Sequence, residues 1–306
     1  MKGKVVLAAL LLAPTGCARH GGAPSPSASA PSPSASAGPS AAATAPSAAA
    51  PAGSASTSAA AETPTRAPVA RAACRALTVQ GAVVTANGQP LTSGAAMDAA
   101  GWVAAPAGAR VGVKHLETTR ELVFEGPASF LACERGEERF LLTSGDVHTA
   151  TWAGARPGAE VLLGTPFGAV RYGDAKLDVH LDDQGLTVGS DVGDAFIELP
   201  LGAGEEKITG GKRFSRRGRA PDVKALVGDC EKSAAEAESR ARAVLAPGRN
   251  AAPLGTRAAA HVRARKAARA SCAIAAAAVE TAKTQAEKDD LLRRVAYAEA
   301  RWRSVP

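Results

Sequence analysis

A stretch of seven residues, Lys176–Asp182, constrains the fold more than any other part of this sequence, because its side chains alternate strictly between polar and apolar. Every second residue, starting at Leu177, is aliphatic. A period of two is the pattern of a β-strand with one buried face. Glycines then interrupt the chain at three points, Gly185, Gly189 and Gly193. Short strands joined by glycine turns predict an all-β module.

The same kind of pattern extends upstream as far as Cys74. Short apolar runs recur at residues 111–113, 122–124 and 140–142, and Asn87-Gly88 is a typical hairpin turn. Regular turns at this spacing favour a sandwich, a barrel or a solenoid, and spacing alone does not choose among the three. We therefore expect one β domain over residues 72–215.

Several residues of this region follow the order of a known family. They are Thr165, Pro166, Gly168, Gly173, Leu177, Val179, Val188 and Gly193. Upstream, residues 141–147 match a further Leu-x-x-Gly-x-Val element. In the order and spacing of these residues the chain resembles the FecR domain, over about residues 77–215.

FecR domains are known from cell-envelope regulators of TonB-dependent iron uptake, and the resemblance implies a solenoid-like or sandwich-like β fold. In those regulators the domain passes a signal from an outer-membrane receptor toward a cytoplasmic sigma factor, which uses a cytoplasmic segment and a membrane-spanning helix. We expect neither part in this chain. The resemblance therefore implies an accessory binding, sensing or assembly role.

Residues 1–17 are predicted to be the signal peptide of a bacterial lipoprotein. Two lysines precede an apolar run that is too short to cross a bilayer, which takes about 20 residues. Thr15-Gly16-Cys17 resembles a lipobox, in which Cys17 is acylated and becomes the mature N-terminus. Ordinary secretion with another cleavage site is the alternative. Because Ala18 follows the anchor, we expect the periplasmic face of the outer membrane as the location.

Residues 18–71 consist almost entirely of small residues and proline. Such a composition has too few large apolar side chains to offset the entropy lost on folding. We predict a disordered tether that lets the folded part stand away from the membrane.

The pattern changes to a helical one at Asp222, after a basic linker at residues 216–221. Apolar residues recur every three or four positions from residue 223 to residue 244, which indicates one face of a helix. Asp222 is the predicted N-cap, and Pro247-Gly248 ends the helix.

A second helix is predicted from about Arg257, with Thr256 as its cap. Its small residues continue the same spacing, so we expect a closely packed antiparallel helical hairpin within residues 222–306. Beyond the hairpin the chain either folds back near residues 288–290, where an Asp caps a third helix, or offers a docking surface. One face of this segment is an apolar stripe that we assign to packing on the β domain or on a third helix: Leu291, Val295, Ala298 and Trp302. The whole chain is predicted to be α+β.

Four cysteines remain besides Cys17, and an even number in an exported chain indicates disulfides with three possible connectivities. Cys230 and Cys272 each lie ~23–24 Å from the hairpin tip on the apolar seam, so we predict a bridge between them. A Cys74–Cys133 bridge follows by elimination. Four buried free thiols are the alternative.

Charge is distributed unevenly. Residues 72–206 carry nine basic and eighteen acidic side chains, whereas residues 207–306 carry twenty-two basic and ten acidic. A basic region often binds nucleic acid, but the predicted export argues against that partner here. The basic helices either dock on the acidic β domain of the same chain, which we favour, or face phospholipid, lipopolysaccharide or wall polymer.

The sequence contains no Gly-x-Ser-x-Gly, His-Glu-x-x-His or Cys-x-x-Cys motif. We therefore expect no catalysis, no cofactor and no small-molecule substrate. Asp178, His180 and Asp182 point to the same strand face, and a weak metal site is one hypothesis for them. A solvated polar face is the preferred interpretation, because one His with two Asp is not a usual closed site.

Together these patterns predict a non-enzymatic lipoprotein of the cell envelope whose FecR-like domain binds a protein partner in sensing or assembly, with a possible link to signalling. One alternative is a structural lipoprotein that bridges the outer membrane and the cell wall. Another is a regulator of the iron-uptake type.

Overall fold

The computed structural model of the protein describes residues 73–97, 101–134, 138–150, 160–246 and 252–304, all within the compact unit Thr65–Pro306. The predicted signal peptide and tether, residues 1–17 and 18–71, lie outside the described residues. Within these described ranges, thirteen strands form one mixed sheet and are followed by three α-helices. The predicted α+β class is therefore confirmed.

The strands are β1 (Cys74–Gln80), β2 (Val84–Thr85), β3 (Trp102–Ala105), β4 (Arg110–His115), β5 (Glu121–Leu131), β6 (Arg139–Ala150), β7 (Val161–Thr165), β8 (Gly168–Tyr172), β9 (Lys176–Asp182), β10 (Gly185–Val192), β11 (Ala195–Glu198), β12 (Glu205–Ile208) and β13 (Lys212–Arg217). Along the main path the order is β1-β4-β5-β6-β7-β8-β11-β12. Neighbouring strands run antiparallel, except that β6 and β7 are parallel.

The two longest strands are the branch points of the sheet. β5 pairs with β4 near its start and with β3 near its end. β6 pairs with β7 at its start and with β9 further along, and β9 leads on to β10 and β13. Apolar side chains from both branches belong to one core cluster. The sheet thus wraps around a single core.

β13 ends two residues beyond the predicted domain boundary at residue 215. Arg216 and Arg217 still pair with Leu186 and Gly185 of β10, so the hairpin continues into the segment predicted as a linker. The linker between the sheet and the helices is therefore shorter than predicted, because residues 216 and 217 belong to β13.

Alternate residues of β9, beginning with Leu177, are buried, which confirms the period-two prediction. β7 and β8 are instead buried at every position. Leu163 and Val170 face the core of the sheet, whereas Leu162 and Ala169 belong to a second cluster shared with the helices. Because both faces of these strands are covered, their sequence shows no polar–apolar alternation, and residues 161–163 of β7 form a continuous apolar run.

The helices are α1 (Val223–Leu245), α2 (Leu254–Val279) and α3 (Gln285–Arg303). The predicted cap of α1 is confirmed, since the Asp222 carboxylate accepts hydrogen bonds from the N–H groups of Lys224 and Ala225 at 3.0 and 3.2 Å. The predicted cap of α2 at Thr256 is wrong. The first turn of α2 begins before Thr256, because the Arg257 N–H donates a hydrogen bond to the Pro253 carbonyl.

The segment after α2 folds back into a third helix, which was one of the two alternatives. The turn comes earlier than residues 288–290, which lie inside α3. Thr284 is the cap, and its hydroxyl accepts a hydrogen bond from the Glu287 N–H at 3.2 Å. Thr-x-x-Glu is the sequence of a capping box, a signal that was present in the chain. The stripe lies on α3 itself and is buried, which confirms its packing role, but its main partners are α1 and α2, which the prediction did not name.

The helical layer packs on the sheet through small residues. Every residue of α2 from Ala270 to Val279 is buried. Gly164 of β7 allows this close approach, because a Cβ there would lie 2.7 Å from the Ala273 carbonyl oxygen. Ion pairs also cross between the layers: Lys266–Glu160 at 3.4 Å is partly exposed, whereas Arg139–Glu299 is fully buried. The helices therefore dock on the β domain mainly through apolar contact, with a buried ion pair in addition.

Candidate functional site

Two disulfides join cysteines of the described residues, one in each hydrophobic cluster. Cys230 and Cys272 join α1 to α2 with a Cα–Cα distance of 4.6 Å, which confirms the predicted bridge. Cys74 is joined to Cys133, and their Cα atoms are 6.0 Å apart. All four residues are fully buried. The predicted lipid anchor, Cys17, lies outside the described residues.

The residues that carry the FecR resemblance shape turns. The Thr165 hydroxyl donates a hydrogen bond to the Gly168 carbonyl at 2.8 Å and accepts one from the Phe167 N–H at 3.3 Å. Gly168 lies against β11, since a Cβ there would come 2.9 Å from the Glu198 carbonyl oxygen. Gly193 has a φ of +82°, a conformation that favours glycine. These residues build the fold, so a functional surface has to be sought among exposed residues.

A cleft of about 870 Å³ lies where the chain passes from the sheet to the helices, and we call it the linker cleft. Its lining comes from β6, the β7–β8 turn, the β9–β10 turn, the linker, the first turn of α1, the α2–α3 turn and the first turn of α3: Thr143, Ser144, Pro166, Phe167, Asp182, Asp183, Arg219, Ala220, Pro221, Asp222, Val223, Lys224, Thr281, Ala282, Lys283 and Glu287.

The linker cleft combines apolar groups with a rim of both charge signs. Pro166 and Phe167 are contributed by the β7–β8 turn. On the rim, Lys224 and Glu287 form an ion pair at 3.2 Å, and Asp183 adds a further carboxylate. The two residues of the turn are buried, whereas Val223 and Ala282 of the lining are partly exposed. Protein interfaces likewise combine apolar groups with polar and charged ones. The cleft therefore suits a peptide or protein surface better than a uniformly charged polymer.

A second exposed surface lies on the polar face of β6 and β9. His148 and Asp178 are directly opposite each other, with the ring Nδ1 2.6 Å from the carboxylate. His180 lies opposite Asp146 at the same distance, and its Nε2 is 3.4 Å from Asp182. We call these residues the His–Asp face. A direct cross-strand pair is the contact that stabilises neighbouring strands most effectively.

The His–Asp face divides the three residues of the metal hypothesis between two pairs. Asp178 contacts the ring of His148, whereas Asp182 contacts the ring of His180. Within the described ranges, no three His, Cys, Asp or Glu side chains are grouped so that they could hold a metal ion. The arrangement is one of charge pairing on a solvated strand face.

Asp146 controls the protonation of His180. Its hydrogen bond to the ring raises the pKa of His180 above the ordinary value, although partial burial opposes the shift. The pKa of Asp182 is lowered, mainly because its carboxylate accepts the Gln184 N–H. Because its pKa is raised on folding, His180 stabilises the folded protein at pH values below the ordinary pKa of histidine. This stabilisation is lost as the pH rises through the raised pKa.

Replacing Asp146 by Asn is expected to lower the pKa of His180 toward its ordinary value, because the charged acceptor is removed. The measurement is a pH titration of the His180 ring resonances by NMR. Asp183→Asn is the matched control, since this neighbouring carboxylate makes no contact with His180 among the described residues. An unchanged titration in the Asp146 variant would show that the cross-strand pair does not form in solution.

Sequence reasoning missed the buried ion pairs. Arg139 at the start of β6 pairs with Glu299 of α3, and both side chains are fully buried. Arg120 pairs with Glu138 at 3.2 Å, also in the interior. These charges are far apart in the chain, so the sequence carried no signal that they meet. They connect elements of the fold and do not open onto the linker cleft.

None of the helices in the described part of the chain combines the length and hydropathy that a membrane-spanning helix requires.

No protein family model matches the sequence, and a search of curated proteins found no match. Two crystal structures, at 1.65 and 2.50 Å resolution, are similar to this chain, and both are described as "a putative anti-sigma factor" from Parabacteroides distasonis ATCC 8503. Each has a TM-score of 0.31 and 13% sequence identity. The matches cover 40% and 41% of this chain, and the chain spans 62% and 63% of those structures, less than two thirds of their length.

Proposed function

We propose that this protein is a non-enzymatic binding module of the bacterial cell envelope, anchored through an acylated Cys17. The two disulfides carry the proposal. Each clamps one hydrophobic cluster, and buried disulfides of this kind persist in oxidising compartments outside the cytosol. The lipobox-like Thr15-Gly16-Cys17 and the composition of residues 18–71 support an anchor followed by a tether.

The proposed partner is an envelope protein that binds at the linker cleft. Both charge signs occur on its rim, and its apolar groups come from the same Thr165–Gly168 turn that carries the FecR resemblance. In that family the β domain works by contact with other envelope proteins. We therefore assign this chain a sensing or assembly role of the FecR type, with the cleft as its contact surface.

A structural role is the second candidate, and the basic excess of residues 207–306 favours it. In that role the acylated Cys17 holds the outer membrane while the basic helices bind an anionic wall polymer. The two candidates differ in the partner, one being a discrete protein and the other a polymer.

Site-specific photo-crosslinking in living cells tests the proposed partner. A photo-reactive amino acid in place of Asp183, on the rim of the linker cleft, is expected to give one discrete protein adduct. The same substitution at exposed Thr209, outside the cleft, is the matched control and should give none. Equal labelling at both positions, or co-sedimentation with wall polymer and no protein adduct, would count against the cleft as the protein-binding surface.

The compartment is tested separately. The wild-type chain is expected in the membrane fraction, and Cys17→Ala is expected to move it to the soluble envelope fraction. Alkylation before reduction should leave all four other cysteines unlabelled. A cytosolic chain with reactive thiols would contradict the proposed location.

A further inference from the structure

The end of the α1–α2 hairpin carries an unusual concentration of positive charge. We define the tip surface as residues 240–246 of α1 and its C-cap together with residues 252–269 leading into α2. It contains seven basic residues and no acidic one: Arg240, Arg242, Arg257, Arg263, Arg265, Lys266 and Arg269. Elsewhere in the helical layer, acidic residues are interspersed with basic ones.

Two exposed leucines lie at this same end. Arg257 ties the ends of the helices together, because its guanidinium donates hydrogen bonds to the carbonyls of Val244 at 3.2 Å and Ala252 at 2.8 Å. Leu245 and Leu254, which adjoin these contacts, are each 61% exposed. Single exposed leucines are common on protein surfaces, but Leu245, Leu254 and the 53% exposed Val262 occur together beside a basic surface, and exposed apolar residues grouped within a charged surface mark an interaction site.

Part of the positive charge is available for a ligand. Arg263 makes no hydrogen bond or ion pair within the described residues, and Val262 beside it is 53% exposed. Lys266 contacts Glu160 only at 3.4 Å, with half of its side chain exposed. The buried half of α2 begins only after these residues, so this part of the helix is not covered by the sheet.

Exposed leucines next to basic side chains, among them Arg263, match the chemistry of an anionic bilayer. Aliphatic side chains enter the boundary between headgroups and acyl chains, while guanidinium and ammonium groups bind lipid phosphates. Each basic residue near an anionic membrane strengthens binding by about fivefold. A soluble polyanion would use the basic residues but would gain nothing from Leu245 and Leu254.

We propose that the tip surface docks on a bilayer that contains anionic phospholipid, with Leu245 and Leu254 inserted and Arg263 and Lys266 on the headgroups. This contact is independent of the acylation of Cys17. It orients the folded part relative to the membrane and leaves the linker cleft, at the other end of α1, free for a partner.

Vesicle co-sedimentation tests the proposal on the full chain carrying Cys17→Ala, which has no acyl group. Binding to vesicles of phosphatidylcholine alone measures any contribution of the N-terminal segment. Vesicles that also contain phosphatidylglycerol are expected to bind the chain more strongly, in a salt-sensitive way. Equal binding to both kinds of vesicle would overturn the proposal.

Two variants separate the charged and apolar parts of the tip surface. Arg263→Glu/Lys266→Glu is expected to weaken binding to the anionic vesicles about twentyfold or more. Leu245→Ser/Leu254→Ser is expected to weaken it several-fold without changing the net charge. Circular dichroism and thiol alkylation check that both variants keep the fold and the disulfides, since all four positions are exposed.

The matched control is Arg213→Glu/Arg217→Glu, which makes the same change of net charge on exposed residues of β13. It should bind nearly as the parent chain does. An equal loss in this control would mean that only overall charge matters, which overturns the proposal. Binding to soluble dextran sulfate that matches vesicle binding, together with no effect of the leucine variant, would assign the tip surface to a polymer instead.

Discussion

Replacing Cys230 and Cys272 together by alanine is expected to lower the free energy of unfolding by about 4 kcal/mol. The bridge closes a loop with a sequence separation of 42, so it removes many conformations from the unfolded chain. Alanine fits both positions, because each lies in a seam that is itself lined mainly by alanine. The loss therefore reports on the missing cross-link and only slightly on packing.

Urea denaturation of the oxidised proteins provides the measurement, and the variant should also show a steeper dependence on urea because its unfolded state is more expanded. Gly228→Ala is the matched control on the same helix. A Cβ at position 228 meets nothing within 4 Å, so this change should stabilise α1 by about 0.5–1 kcal/mol. A loss below about 1 kcal/mol in the double cysteine variant would mean that the bridge is not formed in the folded protein.

The features that were predicted correctly from the sequence depend on residues that are close together in the chain. The alternation of β9 follows from a period of two, and the cap at Asp222 depends on residues within one helical turn. The Cys230–Cys272 bridge could be predicted because a short loop between two antiparallel helices determines which residues lie opposite each other. In each case a local rule determines the geometry.

The features that it did not predict depend on distant pairing. His148 contacts Asp178 only because β6 pairs with β9, and the register of that pairing cannot be derived from the sequence of either strand. β7 is buried on both faces only because α2 covers it, so its apolar run carried no alternation. The linker cleft likewise requires turns from both layers. The turn before α3 is different, since the capping box at Thr284 was readable and was missed.

The largest consequence of distant pairing concerns Arg139 and Glu299, which connect the sheet to α3 with both side chains fully buried. Arg139 also contacts Glu134, with its Nε 2.7 Å from the carboxylate. Replacing Glu299 by Leu is expected to lower the free energy of unfolding by about 3 kcal/mol, the low end for a broken buried pair, because the buried arginine loses one carboxylate and retains its contact with Glu134. Arg139→Met should cost a similar amount, because it removes the nearer arginine from buried Glu299 and leaves Arg303 at 3.7 Å.

The double variant Arg139→Met/Glu299→Leu is expected to recover most of this loss, since removing both charges of a buried pair also removes the cost of desolvating them. Urea denaturation of the wild type, both single variants and the double variant gives the coupling energy directly. An exposed pair provides the control: Asp194→Asn, which breaks the contact with Lys207, should cost no more than about 1 kcal/mol. If the single and double losses simply add, Arg139 and Glu299 do not act as a pair, and the buried charges contribute nothing specific to the docking of α3 on the sheet.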